Sequence, residues 1–321
     1  MGKRALMFPG QGSQYIGMGK EFYENYPVAK EVFDKAGEIT GLDIAKLCFE
    51  ENDKINITEY TQICMLTEEV ALLKVLEEKG FTFDVCTGLS LGEYAAVVAS
   101  GAMSMEDAFK VVRKRGIYMQ EAVPEGGAMN AVIGLDPEVI ENVCAEVEKA
   151  GPAEDAQDFP ADLPYVVSVA NYNNPKQTVI TGRKDAVDAA AAILAEKGAL
   201  KCVPLNVSGP FHSKLLTGAG AKLEEALKDV EIHDIKIPYI ANVTADYVRE
   251  KEDVKGLLVN QVSSSVRFTQ TIERMVRDGV DEFVEAGPGH TLTGFVKKID
   301  RSLKCVNIDT FEDFQKVFEN A

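Results

Sequence analysis

A serine set between two glycines, Gly88-Leu89-Ser90-Leu91-Gly92, follows the short predicted strand Asp84–Thr87 and opens a stretch of helical periodicity. No other feature constrains the fold as much. Glycines at both ends permit a tight strand-to-helix turn, which lifts the serine hydroxyl above the sheet as a nucleophile elbow does. The helix N-terminus behind it points unpaired N–H groups and a positive dipole end at any oxyanion formed there. A serine that only caps a helix at a glycine-rich turn has the same local pattern, so the chemical reading needs support from the rest of the chain.

The surrounding rhythm is α/β. Ala5–Phe8 reads as a buried strand ended by the turn Pro9-Gly10-Gln11-Gly12-Ser13-Gln14. Helical spacing predicts helices over Lys20–Gly37, Gln62–Lys79, Ser90–Ser100 and Ser104–Ala122, the last capped by Ser104 with Asp107 in its first turn. The middle of the chain then runs strand (Met129–Gly134), helix (Pro137–Lys149), strands (Tyr165–Asn171, Gln177–Thr181), helix (Lys184–Lys197) and strand (Lys201–Leu205), with a Pro/Asp/Ala-rich linker at Gly151–Pro164. That βαββαβ order is ferredoxin-like. It is read as a subdomain, 126–205, inserted into a larger α/β part formed by 1–125 and 206–321. The larger part resumes with a helix near Ser213–Asp229, the strand Pro238–Asn242, a helix near Val266–Asp278 and the strand Glu282–Glu285. The turn Gly287-Pro288-Gly289 then leads into a helix over Thr291–Asp300.

A serine hydroxyl needs a neighbouring base, and histidine titrates in the right range. The chain has three histidines. His212, in Val207-Ser208-Gly209-Pro210-Phe211-His212-Ser213, sits on a loop suited to presenting a side chain to a cleft and is favoured. His233 lies in a polar stretch that reads as surface. His290, behind Gly287-Pro288-Gly289, reads as structural or capping.

On the helix Ser104–Ala122, positions 108, 111, 112, 115, 119 and 122 share one face. Five are Ala108, Val111, Val112, Met119 and Ala122; the sixth is Arg115. Arg113 and Lys114 project elsewhere and are expected to be solvated. An unpaired buried charge costs roughly 3–5 kcal/mol, so Arg115 must have a partner. A structural carboxylate is one reading. A substrate carboxylate gripped by two parallel hydrogen bonds is the other.

Composition narrows the rest. With 51 acidic against 34 basic residues the formal net charge is −17, which argues against nucleic acid. The six cysteines carry no C-x-x-C and are expected to be buried free thiols, and no His/Cys/carboxylate cluster has zinc spacing. No apolar stretch approaches the ~18 residues of a membrane span. Before Pro9 only Ala5–Phe8 is apolar, too short for a signal-peptide core, so the cytoplasm is expected.

Several segments in one order carry a family resemblance. They are Phe8-Pro-Gly-Gln-Gly-Ser-Gln14, Gly88-Leu-Ser-Leu-Gly-Glu-Tyr94, Arg115-Gly-Ile-Tyr-Met-Gln-Glu121, Val207-Ser-Gly-Pro-Phe-His212, Asn260-Gln261 and Glu285-Ala-Gly-Pro-Gly289. Over nearly its full length the chain resembles malonyl-CoA:acyl carrier protein transacylases, whose architecture is an α/β-hydrolase-like domain with a ferredoxin-like insertion. The resemblance implies Ser90 as nucleophile and His212 as base and then acid. It implies the N–H groups of Gln11 and Leu91 as oxyanion hole, Arg115 as holder of the malonyl carboxylate, and the main-chain carbonyl of Gln261 as orienter of His212. Phe211 looks like the malonyl-selecting form of its loop. Leu89 stands where the family commonly has histidine, and the dyad does not pass through it.

The resemblance further implies malonyl-CoA as donor, acyl carrier protein as partner and no permanently bound cofactor, coenzyme A entering only as a substrate thioester. A monomer serving fatty acid biosynthesis is expected, with no metal, membrane or nucleic acid. Lys297, Lys298, Arg301, Lys304, Arg274 and Arg277 are candidates for a basic patch that docks an acidic carrier. Two other classes share parts of this pattern. A hydrolase of simple esters would use Ser90 and His212 without needing Arg115 in a pocket, and a silent carrier-binding protein would need none of the three.

Overall fold

The computed structural model describes residues 2–152, 163–207 and 209–319. The linker expected at Gly151–Pro164 falls mostly outside them, as does Ser208. Strand β1 (Lys3–Phe8) is followed by α1 (Lys20–Asn25), α2 (Pro27–Thr40), α3 (Ile44–Phe49) and α4 (Thr58–Glu78). Next come β2 (Val85–Gly88), α5 (Gly92–Ala99) and α6 (Met105–Ala122). The segment β3 (Gly127–Ile133), α7 (Pro137–Ala150), β4 (Val167–Asn174), β5 (Gln177–Arg183), α8 (Lys184–Glu196) and β6 (Lys201–Pro204) has the expected βαββαβ order. The chain ends with α9 (Thr217–Leu227), α10 (Lys251–Gln261), α11 (Phe268–Arg277), β7 (Val280–Ala286), α12 (Thr291–Ile299), β8 (Lys304–Ile308) and α13 (Phe311–Glu319).

Two sheets organise these elements. The first is parallel, in the order β2-β1-β7-β8. Ala5, Leu6, Met7 and Phe8 of β1 are fully buried, as a strand covered on both faces requires. Its register sets Phe8 beside Gly88 and Met7 beside Glu285. The turns after β1, β2 and β7 therefore emerge together at the carboxyl edge, where open α/β sheets hold their ligands. The second sheet is antiparallel in the order β4-β5-β3-β6, the ferredoxin-like arrangement, with α7 and α8 packed against it. The fold is α/β, an α/β-hydrolase-like part carrying a ferredoxin-like insertion. Among the described residues no helix is long and apolar enough to cross a membrane.

Several expectations are corrected. The single helix expected over Lys20–Gly37 is two, because Pro27 supplies no N–H and drives Tyr26 into extended backbone (φ −126°, ψ 114°). Pro238–Asn242 is not a ladder strand. Its main-chain bonds to β2 are made at Cys86, with Cys86 N–H donating to Pro238 O and Ile240 N–H to Cys86 O. Near Ser213 a short 3-10 turn, Lys214–Leu216, precedes α9. Helices α3, α10 and α13 and strand β8 had no counterpart in the sequence reading. Of the cysteines, Cys202 and Cys305 are half-buried; the other four are buried.

One feature of α4 strains the core. Glu68 and Glu69 are both buried, and their four carboxyl oxygens have no hydrogen-bond partner among the described residues. Burial pushes both carboxyls well above the usual range, with Asp309 adding to the effect at Glu68 and Glu68 at Glu69. The folded state thus holds protons that the unfolded chain releases near pH ~4.3, so stability falls as pH rises above that value. Each unit of raised pKa costs about 1.4 kcal/mol once the solution pH exceeds the folded value. Glu69→Gln is expected to be more stable than the parent at alkaline pH, with the gap closing under mild acid, as urea unfolding at the two pH values will measure.

Candidate active site

The elbow is built by close packing. Ser90 holds φ +54°, a left-handed conformation that costs a non-glycine residue about 1–3 kcal/mol. A Cβ on Gly88 would lie 2.0 Å from the carbonyl carbon of Gly92, and one on Gly92 would lie 2.2 Å from Phe8 O. Only glycine fits at either position. Asn242 clamps the turn from behind: its Oδ1 accepts from Ser90 N–H (2.7 Å) and its Nδ2 donates to Gly88 O (2.6 Å). Helix α5 starts two residues after the serine.

His212 meets the serine from the other side. Ser90 Oγ and His212 Nε2 are 2.8 Å apart, and His212 Nδ1 lies 2.8 Å from Gln261 O. A carbonyl only accepts, so Nδ1 carries the proton and the Nε2 lone pair faces the hydroxyl. Burial, then the charge of Arg115, pull the imidazole down to about 4, against the backbone groups of Gln261 and Ser264. At neutral pH it is an uncharged base. His233 is half-exposed beside Glu231, and His290 is exposed at the start of α12 without a side-chain cap. Neither bonds to Ser90.

Arg115 is 1% exposed. Its NH1 donates to Gln62 Oε1 (2.7 Å), and its NH2 donates to Gln261 Oε1 (2.9 Å) and to Ser90 Oγ (3.1 Å). The guanidinium also lies over the Tyr94 ring, 5.2 Å from its centroid. Among the described residues no carboxylate forms an ion pair with it. The direct partners of Arg115 are amides and a hydroxyl, and the carboxylate acting on its charge, Glu93, does not bond to it. The neighbouring Arg113 departs from expectation, since it binds Glu59 through the main-chain oxygen (2.6 Å) and the carboxylate (2.8 Å) instead of standing in solvent.

These groups open into a cavity of about 470 Å³ between the two sheets. Gln11, Leu91 and Phe211 line it from the parallel-sheet side, and Asn171, Asn173 and Gln177 from the ferredoxin-like side. The backbone N–H groups of Gln11 and Leu91 donate no hydrogen bond among the described residues, while the Gln11 side-chain amide donates to Thr58 Oγ1 (3.0 Å). Of the basic candidates, Lys297 is tied to main-chain carbonyls, Lys304 to Glu282, and Arg274 to Asp246 and Asp278. Lys298, Arg301 and Arg277 are exposed. No group of three or more His, Cys, Asp or Glu side chains suited to a metal occurs among the described residues.

The acyl transferase domain family matches residues 6–309. The malonyl CoA-acyl carrier protein transacylase of Bacillus subtilis is 43% identical over 317 residues, which are 98% of this chain and 96% of that protein. The chain belongs to this family. The transacylase of Haemophilus influenzae is 39% identical, with 99% of each chain covered. Among solved structures, MCAT from Streptococcus pneumoniae has a TM-score of 0.92 at 43% identity, covering 99% of this chain and 100% of that one. A malonyl-transacylase in complex with its type II PKS acyl-carrier protein has a TM-score of 0.92 at 35% identity, again covering 99% and 100%.

Three residues that shape the site of this acyl transferase escaped the sequence reading: Gln62, Asn242 and Glu93. Glu93 had a signal, a carboxylate heading the apolar run Tyr94–Ala99, the same kind of misfit that singled out Arg115. The two amides had none. Asn242→Ala leaves Ser90 N–H and Gly88 O without their partner, at roughly 1–3 kcal/mol for each buried group. Urea unfolding is expected to register that loss, together with weaker labelling of Ser90 by a serine-directed reagent.

Proposed function

We propose that this acyl transferase moves a malonyl group from malonyl-CoA to the phosphopantetheine thiol of acyl carrier protein through an ester on Ser90, in the cytoplasm, as a monomer, for fatty acid biosynthesis. The observation that carries the reading is the buried guanidinium of Arg115, bonded only to neutral groups and 3.1 Å from the serine oxygen. A cation so placed has a free preference for an anion, and a malonyl ester is an acyl group with a carboxylate of its own.

In this scheme His212 Nε2 takes the Ser90 proton as Oγ attacks the thioester carbonyl. The oxyanion is received by the N–H groups of Gln11 and Leu91. The C–S bond then breaks, and the sulfur leaves with the proton from His212. In the second half the carrier's thiol gives its proton to His212 and attacks the serine ester, and Ser90 recovers the proton as the new thioester departs. The carbonyl of Gln261 holds the imidazole in its tautomer, the place usually taken by a triad carboxylate. Arg115 holds the malonyl carboxylate through both halves. Coenzyme A enters only as substrate, and no cofactor is required.

The reading divides the chain into a catalytic part, 1–125 and 206–321, and a ferredoxin-like part, 126–205, a division supported by the two separate sheets. Lys298, Arg301 and Arg277 are the basic residues left to meet an acidic carrier, since their neighbours are engaged internally.

Peptide mapping after incubation with malonyl-CoA is expected to find the adduct on Ser90; full transfer with Ser90 unmodified would overturn the scheme. Arg115→Ala is expected to lower kcat/KM for malonyl transfer by about 2–5 kcal/mol in transition-state terms while affecting acetyl transfer far less. Equal losses with the two donors would return Arg115 to a structural role.

A further inference from the structure

Beneath the dyad lies a carboxylate that the transfer scheme does not use. Glu93, in the first turn of α5, is fully buried. Its Oε2 accepts from Gln261 Nε2 (2.6 Å) and from Asn242 N–H (3.1 Å), while its Oε1 has no partner among the described residues. Gln261 is the hub of the site. Its side-chain Oε1 receives Arg115, its Nε2 also donates to Ser90 O (2.8 Å), and its main-chain oxygen receives His212. The amide has only one workable orientation: turned over, its Nε2 would face the NH2 donor of Arg115 and its Oε1 would face three acceptors, Glu93 Oε2, Ser90 O and Asn242 Oδ1.

We propose that Glu93 is a positioning residue which, through Gln261, holds the Arg115 guanidinium and the His212 imidazole in the one geometry where both face Ser90, and supplies the negative charge that favours the imidazolium formed during acylation. The proposal rests on the transfer reading of Ser90, His212 and Arg115. Because one oxygen makes both hydrogen bonds and the other makes none, a proton on Oε1 leaves the bonding intact and removes only the charge. The site thus has two states of the same shape.

Burial pushes Glu93 up to about 7, against the hydrogen bonds from Gln261 and Asn242 and the charge of Arg115. The groups facing it are Arg115 from α6, Tyr94 beside it, Tyr239 from the segment flanking β2 and, across Gln261, His212. Both phenols are pushed up by burial and stay neutral, and His212 titrates only at about 4. A limb near neutrality therefore belongs to Glu93. Ionised above that pH, it favours His212 taking the serine proton, so acylation quickens as pH rises through about 7.

The test is the single-turnover rate of Ser90 acylation by malonyl-CoA and by acetyl-CoA, measured across neutral pH for wild type, Glu93→Gln and Glu93→Ala. The wild-type rate is expected to rise through neutrality with either donor. Glu93→Gln, which keeps an acceptor but no charge, is expected to lose that rise. Glu93→Ala is expected to lose malonyl transfer by roughly 10- to 100-fold, the size seen when an outer-shell partner is removed, with Glu93→Gln restoring part of it. A neutral limb that persists in Glu93→Gln, or wild-type kinetics in Glu93→Ala, overturns the proposal. If Glu93→Ala does not fold, the isosteric Gln variant decides alone. Mapping of Ser90 in the same samples separates the two readings. A wild type that never carries malonyl there refutes the transfer scheme, whereas malonyl on Ser90 with no neutral limb refutes the role of Glu93.

Discussion

Removing a guanidinium from water is tolerable only where protein dipoles replace the water, and the site of this acyl transferase is organised around doing so at Arg115. The replacement comes from three separate places: Gln62 on α4, Gln261 at the end of α10, and the hydroxyl of Ser90 on the elbow. Each is an amide or hydroxyl oxygen that satisfies an N–H without neutralising the charge. A direct carboxylate would have been a sounder structural solution, because breaking or omitting it leaves an uncompensated charge. The cation instead directs its field into the cavity beside Ser90. That field helps pull His212 down to about 4, so the imidazole is neutral at physiological pH, and it reaches the serine oxygen from 3.1 Å. One buried charge thereby lowers the basicity of His212 and reaches the Ser90 hydroxyl and, in the proposed transfer, receives the acyl group.

The backbone is arranged to serve that cluster. The pairing of Phe8 with Gly88 brings the turn carrying Gln11 against the turn carrying Ser90, at a separation too small for any side chain on Gly10 or Gly92. Ser90 and His212 both sit in left-handed conformations, at φ +54° and φ +59°. Such positions persist only when the surroundings over-determine them. At Ser90 the clamp from Asn242, two hydrogen bonds across more than 150 positions of sequence, does the determining.

Sequence reading reached the parts of this arrangement that repeat or that break a pattern. The elbow was visible from paired glycines between strand and helix, Arg115 from its misfit in an apolar stripe, and the insertion from its βαββαβ rhythm. Lost were the features fixed by distant partners. Nothing near Gln62 or Asn242 marks either amide as part of a site, because their acceptors and donors arrive from other elements. Helical phase alone sends Arg113 to solvent, yet the main chain and carboxylate of Glu59 on α4 reach it. Helical periodicity also ran through Tyr26-Pro27, where the ring of proline imposes a break that hydrophobic spacing does not register. Helix α10 was missed for a related reason: of its residues only Val254, Leu258 and Gln261 are buried, too narrow a stripe to stand out.

The low basicity of His212 bears on why such a site favours transfer over hydrolysis. An imidazole held near 4 is a weak base, and the cost of giving it a proton depends on how acidic the donor is. For the serine that cost is offset by the guanidinium beside Oγ, since a neighbouring positive charge favours the ionised hydroxyl. No such help is fixed in place for the second acceptor, so its own acidity decides. A thiol, with a pKa of about 8.5, yields its proton some seven units more readily than water at about 15.7. A strong base would narrow the difference in rate between the two, whereas a weak one preserves it. In the proposed transfer, the burial that removes charge from His212 therefore discriminates against water at the step where the Ser90 ester is most exposed to it, and the same burial follows from enclosing Arg115.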